Sequence, residues 1–269
     1  MEVSLRGKKI GIFIPCRLNS SRLKKKLLLD LYDGKKVIEI LLSNLCKSKF
    51  VEKKNIIICT TKNKIDSELK EFIKFLGYGV FEGSEKNIIK RFYNANQYYN
   101  FDLIAEVDGD DVFTDVEILD KLIEKSLSNN YDYLYTENLP LGLNCKLLTK
   151  KGLKKVYQNI VTKNNQNGFM LFFLNHPYIQ KKKLIIKSKI FEGRFTLDYI
   201  EDFQLFNSLY QFLNKKNFIF NIKNYLTYIK KNKKLFLKSL NLNKKWISRT
   251  KSILNLKYKA NNKIYKINY

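Results

Sequence analysis

The chain has 269 residues, with 51 Lys and Arg against 25 Asp and Glu for a formal charge of +26, and it is 45% hydrophobic and 14% aromatic. That length buries one substantial core, or one core with a smaller appendage, and the apolar content excludes a disordered chain. The longest unbroken apolar run, Phe169 to Leu174, is far short of the ~20 residues that span a bilayer, and the N-terminal apolar stretch is too short for a secretory signal.

Charge and apolar residues are unevenly placed. Every acidic residue lies at or before Asp202, and the 67 residues after it hold 16 basic residues and no acidic one. The first three quarters therefore read as a mildly basic enzyme domain, and no specific nucleic-acid partner is expected. Four cysteines (Cys16, Cys46, Cys59, Cys145) form no C-x-x-C pair, and His176 is the sole histidine. Zinc sites and histidine-based triads are thereby excluded, and reduced thiols in a cytoplasmic protein are expected. His176, beside Pro177, reads as structural.

In chain order, Ile10 to Ile14 is a buried first strand, and Val37 to Leu45 recurs at helical spacing. Ile56 to Ile58 is a β-branched strand ending at Thr60 and Thr61. A helix through Ile65 to Leu76 follows, then a short strand at Val80 and Phe81, a helix through Ile88 to Tyr93, and a strand from Leu103 to Val107. Successive βα units predict an α/β fold with a mostly parallel sheet flanked by helices, binding ligands beyond the carboxyl ends of its strands. Further on, Tyr131 to Tyr135 reads as a strand, Gly152 to Tyr157 as a short helix, Phe195 to Leu197 as a strand ending at Asp198, and Asp198 onward as a helix. We expect a boundary near 229/230, with residues 1–229 as the main domain and 230–269 as a basic amphipathic extension. That tail either packs on the domain as a helix or lies on an anionic membrane as a peripheral contact.

Two loops carry chemistry. The loop after the first strand holds Arg17, Ser20, Ser21, Arg22, Lys24, Lys25 and Lys26, a composition suited to a polyphosphate, although it is neither a Walker loop nor G-x-G-x-x-G. The chain has 45 Lys and only 6 Arg, so two arginines five positions apart mark sites where a planar fork is needed. The alternative is a solvated basic turn. After Val107 come Asp108, Gly109, Asp110 and Asp111, hard oxygen donors suited to magnesium, or else an N-cap cluster for the helix from Val116. Asp198 reads equally as a second metal carboxylate or a helix cap.

These residues resemble a known family. The segment I-P-C-R-L-N-S-S-R-L-K-K-K, G-S-E at Gly83 to Glu85, Arg91, D-G-D-D at Asp108 to Asp111, L-P-L-G-L-N at Leu139 to Asn144 and F-T-L-D-Y-I-E-D-F at Phe195 to Phe203 resemble, in order and spacing, the acidic-sugar cytidylyltransferases. That group includes the acylneuraminate and 3-deoxy-manno-octulosonate enzymes and the SpsF-like polysaccharide proteins. The resemblance implies a nucleotide-diphospho-sugar transferase fold, Rossmann-like, and attack of a sugar hydroxyl on the α-phosphate of CTP with release of pyrophosphate. It further implies that Arg17 and Lys26 hold the triphosphate as the catalytic pair, that Ser20 and Arg22 complete the nucleotide loop, and that Asp110 and Asp198 bind Mg2+. Every such residue precedes Lys230, so the tail is expected to be dispensable for nucleotide binding. The resemblance leaves a homodimer open. Departures are Lys24 and Lys25 for a usual Pro-Gly, Val112 for a proline, D-Y-I-E-D-F for D-T-P-E-D-L, and N-G-F-M at Asn167 to Met170 for E-H-V-T. Competing readings are a basic nucleic-acid-binding protein and an inactive scaffold of the same fold.

Overall fold

In a computed structural model that describes residues 7–128, 130–186 and 193–267, seven strands build one sheet. They are β1 (Ile10–Pro15), β2 (Ile56–Thr61), β3 (Gly79–Gly83), β4 (Leu103–Glu106), β5 (Tyr133–Glu137), β6 (Lys146–Thr149) and β7 (Lys181–Ile185), ordered β3-β2-β1-β4-β6-β5-β7. β1 pairs in parallel with β2 and β4, as do β2 with β3 and β5 with β7. β6 runs antiparallel to both its neighbours. The expected mostly parallel sheet is therefore present, with β1 buried at its centre and its residues alternating between the two faces.

Helices cover both faces. α1 (Val37–Leu45), α2 (Ser67–Phe75), α4 (Val116–Leu127), α7 (Ile200–Lys215), α8 (Ile222–Lys231) and α9 (Lys233–Leu240) contribute to one apolar cluster with Ile10, Ile12 and Ile14. α3 (Ile88–Tyr99), α5 (Lys150–Asn159) and α6 (Leu171–Asn175) build the other around Phe13. Burying a Phe or Ile side chain on these faces stabilises by roughly 1.5–3 kcal/mol each, so this two-sided burial dominates the fold energetics.

Three sequence expectations need correction. Phe195 to Leu197 is not a strand. Its apolar side chains are buried, but its backbone is satisfied bond by bond, Phe195 N donating to Leu141 O (2.7 Å) and Leu197 N to Asp110 O (3.0 Å). Gly142 makes this approach possible: it has φ +91°, and a Cβ there would run into the Phe195 carbonyl. Second, the 229/230 boundary falls inside α8, and Phe236 beyond it is buried in the first cluster. Third, the Lys-apolar alternation near the end is not a helix. After α10 (Leu242–Ile253), β8 (Leu256–Ala260) and β9 (Lys263–Ile267) form an antiparallel hairpin that buries Leu256, Tyr258, Ala260 and Ile267 in the second cluster and leaves Lys257 and Lys259 exposed. A period of two is what a strand with one buried face produces.

Candidate functional site

The loop after β1 is anchored before it reaches its cations. Cys16 N donates to Cys59 O on β2 (3.1 Å), and Leu18 N donates to Asp66 Oδ1 (2.7 Å), a buried carboxylate that also accepts from Thr61 Oγ1. The Thr60 and Thr61 corner therefore holds the loop in shape. At its far end Lys25 sits at φ +48°, in the left-handed region, immediately before a short turn of 3₁₀ helix over Lys26–Leu28. This is the position where the resembling family carries glycine, the residue that takes a positive φ at least cost. Holding a non-glycine residue there costs roughly 1–2 kcal/mol, and the exposed Lys25–Glu68 ion pair offsets little of it. Lys25→Gly should therefore melt above Lys25→Ala by about 1 kcal/mol, or roughly 2–4 °C. Equal melting temperatures would show that the loop carries no such strain.

Lys26 and Asp198 join the two halves of the site. The Lys26 ammonium bonds to Asp110 Oδ2 and lies 2.9 Å from Asp198 Oδ1, so carboxylates 88 positions apart share one cation. Arg22 also bonds Asp198 Oδ1, and Arg194 Nη2 reaches Asp198 Oδ2 at 2.8 Å. Arg194 is fully buried and its Nε bonds both oxygens of Asp202 (3.1 and 3.2 Å), while Asp202 accepts from the backbone of Asp198 and Tyr199 and from Ser239 Oγ on α9. Asp202 is thus the residue that caps α7. Asp198 is not the cap, and α4 is capped by Asp115, the residue before its first turn, which accepts from Ile118 N (3.2 Å).

The charges follow from this arrangement. Burial pushes the Asp198 carboxyl up, but Lys26, Arg22 and Arg194 outweigh it and hold the group below the usual carboxylate range. Burial raises Asp110, with Asp198 and Asp108 adding to the rise and Lys26 opposing it. Burial works against a charged Lys26, yet Asp110 and Asp198 more than compensate, so it stays an ammonium across the working pH range.

A cleft of about 420 Å³ opens over this cluster, lined by Arg17, Ser20, Arg22, Lys26, Asp108 and Asp110 among others. The expected nucleotide residues thus converge on one cavity. Asp198 does not line it; at 2% exposure its side chain stands behind Arg22 and Lys26. Gly109 lets the D-G-D-D loop close on β1, since a Cβ there would come within 2.6 Å of Cys16 Sγ. Arg91 also lines the cleft, with its guanidinium donating to the carbonyls of Cys59, Ser84 and Glu85. His176 is buried against Tyr178 and Tyr258, away from the cleft lining, in keeping with a structural role.

Sequence reasoning missed four features. Arg194, one of six arginines, is a buried hub that the rarity of Arg could have flagged. Glu106 on β4 faces Lys146 on β6 in register and pairs with it at 2.7 Å, with Asp108 3.3 Å from the same ammonium. Burial first, then Asp108, pushes Glu106 up to about 8 against the pull of Lys146. Phe169, from the altered N-G-F-M stretch, lines the cleft. So do Arg249 and Ile253 of α10, contrary to the expectation that every candidate residue precedes Lys230. Among the described residues no group of three or more His, Cys, Asp and Glu side chains is arranged to hold a metal, and no helix is long and apolar enough to cross a membrane.

Comparison with known proteins agrees with this geometry. The cytidylyltransferase family profile matches residues 11–245. An uncharacterized protein of Methanocaldococcus jannaschii is 37% identical over 245 residues, 87% of this chain and 94% of that protein. The spore coat polysaccharide biosynthesis protein SpsF of Bacillus subtilis is 30% identical over 216 residues, 75% of this chain and 86% of that protein. A solved cytidylyltransferase from Leptospira borgpetersenii superposes with a TM-score of 0.75 at 26% identity, covering 85% of this chain and 97% of that one. A CTP-bound CMP:2-keto-3-deoxy-manno-octonic acid synthetase, at 14% identity and a TM-score of 0.59 over 76% of this chain and 98% of that one, shares the fold. With a profile match over most of its length, the chain belongs to the cytidylyltransferase family of CTP-dependent nucleotidyltransferases.

Proposed function

We propose that this enzyme joins CTP to a sugar, giving a CMP-sugar and pyrophosphate for surface polysaccharide or glycan assembly, with an acidic sugar as the substrate class. The observation that carries the reading is the convergence of Lys26 with Asp110 and Asp198 at the base of a cleft walled by Arg17 and Arg22. Such a site favours positioning and charge neutralisation over covalent catalysis, as attack on a polyphosphate demands. The polysaccharide-biosynthesis role of the relative SpsF supports the sugar.

The donor type suits a magnesium ion: Asp110 lines the cleft, and Asp198 lies behind it across Lys26. Two hard carboxylates already converge on one cation, here the Lys26 ammonium; Asp110 has a single ionic partner, and Asp198 has three cation contacts for about four lone-pair positions. Asp110 and Asp198 would hold the ion, which when bound supplies charge neutralisation at the phosphates. Lys26 and Arg22 bring permanent positive charge to the same point. Arg17 lines the cleft without a hydrogen bond or ion pair among the described residues, leaving its fork open to phosphate.

Arg17→Lys keeps the charge and loses the fork. We expect turnover to fall by more than ~10-fold, the factor that 1.4 kcal/mol of lost transition-state stabilisation represents. An unchanged rate would return this loop to a solvated turn. The function itself is tested by pyrophosphate release over four nucleotide triphosphates and a panel of acidic and neutral sugars. Release is expected with CTP and an acidic sugar together; release with no sugar in the panel, or equally with every nucleotide, would overturn the reading.

A further inference from the structure

The cleft has a wall that its other residues do not account for. α10 carries Lys244, Lys245, Arg249 and Lys251 with no acidic residue, none of its residues is fully buried, and it nevertheless lies over the β1 loop. Arg249 Nη2 donates to Ser21 Oγ of that loop (3.2 Å), Ile253 lines the cleft one turn on, and the Trp246 ring lies 5.8 Å from the Arg194 guanidinium. The helix is thus registered on the same hub that positions Asp198.

The ionic pairing shows what is missing. Arg22 and Lys26 are paired to Asp198 and Asp110. Arg17 and Arg249 both line the cleft and form no ion pair among the described residues. Two guanidinium groups lining one cavity, neither with an ion pair of its own among the described residues, suit an anion of more than one phosphate, since Arg forks take phosphate oxygens in pairs. Arg249 also lies beyond residue 245, where the match to the family profile ends.

We propose that Arg249 is a further nucleotide-binding residue, donating to the β- and γ-phosphates of the triphosphate from α10, so that the C-terminal segment completes the polyphosphate site. This rests on the CTP reading above. Ser21 Oγ is the partner that holds the guanidinium in place until phosphate replaces it.

The test is calorimetric titration of the full-length protein and of Arg249→Gln and Arg249→Lys with CTP, CMP and pyrophosphate in magnesium buffer. Arg249→Gln is expected to weaken CTP and pyrophosphate by about tenfold, the scale of one charge-assisted hydrogen bond, while CMP stays within about twofold. Arg249→Lys should fall between, keeping the charge without the fork. Unchanged CTP affinity in Arg249→Gln, or equal weakening of CTP and CMP, would overturn the proposal. Wild-type protein that binds no CTP would instead overturn the nucleotide reading itself.

Discussion

Asp110→Asn should stay folded and lose turnover by about two to three orders of magnitude. Asp110 has one ionic partner, Lys26, and its side chain is 22% exposed to the cleft, so the amide keeps the size and a hydrogen-bond acceptor while water solvates what the lost charge leaves. Losing one preorganised electrostatic group at a phosphoryl centre costs about 2.7–4 kcal/mol of transition-state stabilisation, which sets the expected factor. The check pairs a thermal melt with steady-state pyrophosphate release. A melting temperature within a few degrees of wild type together with turnover within about tenfold of it would remove Asp110 from the site.

Asp198→Asn is expected to behave differently, because Asp198 also ties three buried or half-buried cations together. It is the shared counter-charge of Arg22, Lys26 and Arg194, and it is 2% exposed. Removing one partner of a buried ionic cluster typically destabilises by about 3–5 kcal/mol, since the remaining charges stay buried without compensation. For a chain of this size that lowers the melting temperature by on the order of 10 °C. Activity should fall at least as far as in Asp110→Asn, and the double variant should turn over little more slowly than Asp198→Asn alone, because the two carboxylates act on one cation. Undiminished stability would show that the three cations find other partners and that Asp198 does not organise the centre.

Much of the sheet was legible because its central strands are buried on both faces. Ile10 to Ile14, Ile56 to Ile58 and Leu103 to Ala105 leave little but apolar residues to read. β7 was invisible for the opposite reason. It is an edge strand reading K-K-K-L-I, and exposed lysines that discourage edge pairing also erase the strand pattern. β6 was missed because it is four residues long and antiparallel within a sheet whose other units suggest βα repeats. Phe195 to Leu197 misled in the other direction, since buried apolar side chains need not belong to a ladder if single carbonyls from Leu141 and Asp110 satisfy the backbone.

At the site, Arg17, Ser20, Arg22, Lys26 and Asp110 were readable because one loop after one strand carries each group. Asp198 was readable only as an alternative, since an aspartate before a helix is more often a cap; its neighbour Asp202 performs that role and frees Asp198 to face Lys26. Arg249 could not be read at all. It lies among sixteen basic residues with no acidic contrast, and only the folding of α10 back onto the β1 loop distinguishes it from them.

In the proposed reaction Lys26, Asp110 and Asp198 direct chemistry at the α-phosphate of CTP. It is tested most directly by following the fate of label in CTP carrying radioactive phosphorus at either the α or the γ position, incubated with the full-length protein, magnesium and an accepted sugar. The α-label is expected to pass to a sugar-linked nucleotide while γ-label is recovered in pyrophosphate. Transfer of γ-label to the sugar, with α-label left in CDP, would contradict the proposed reaction.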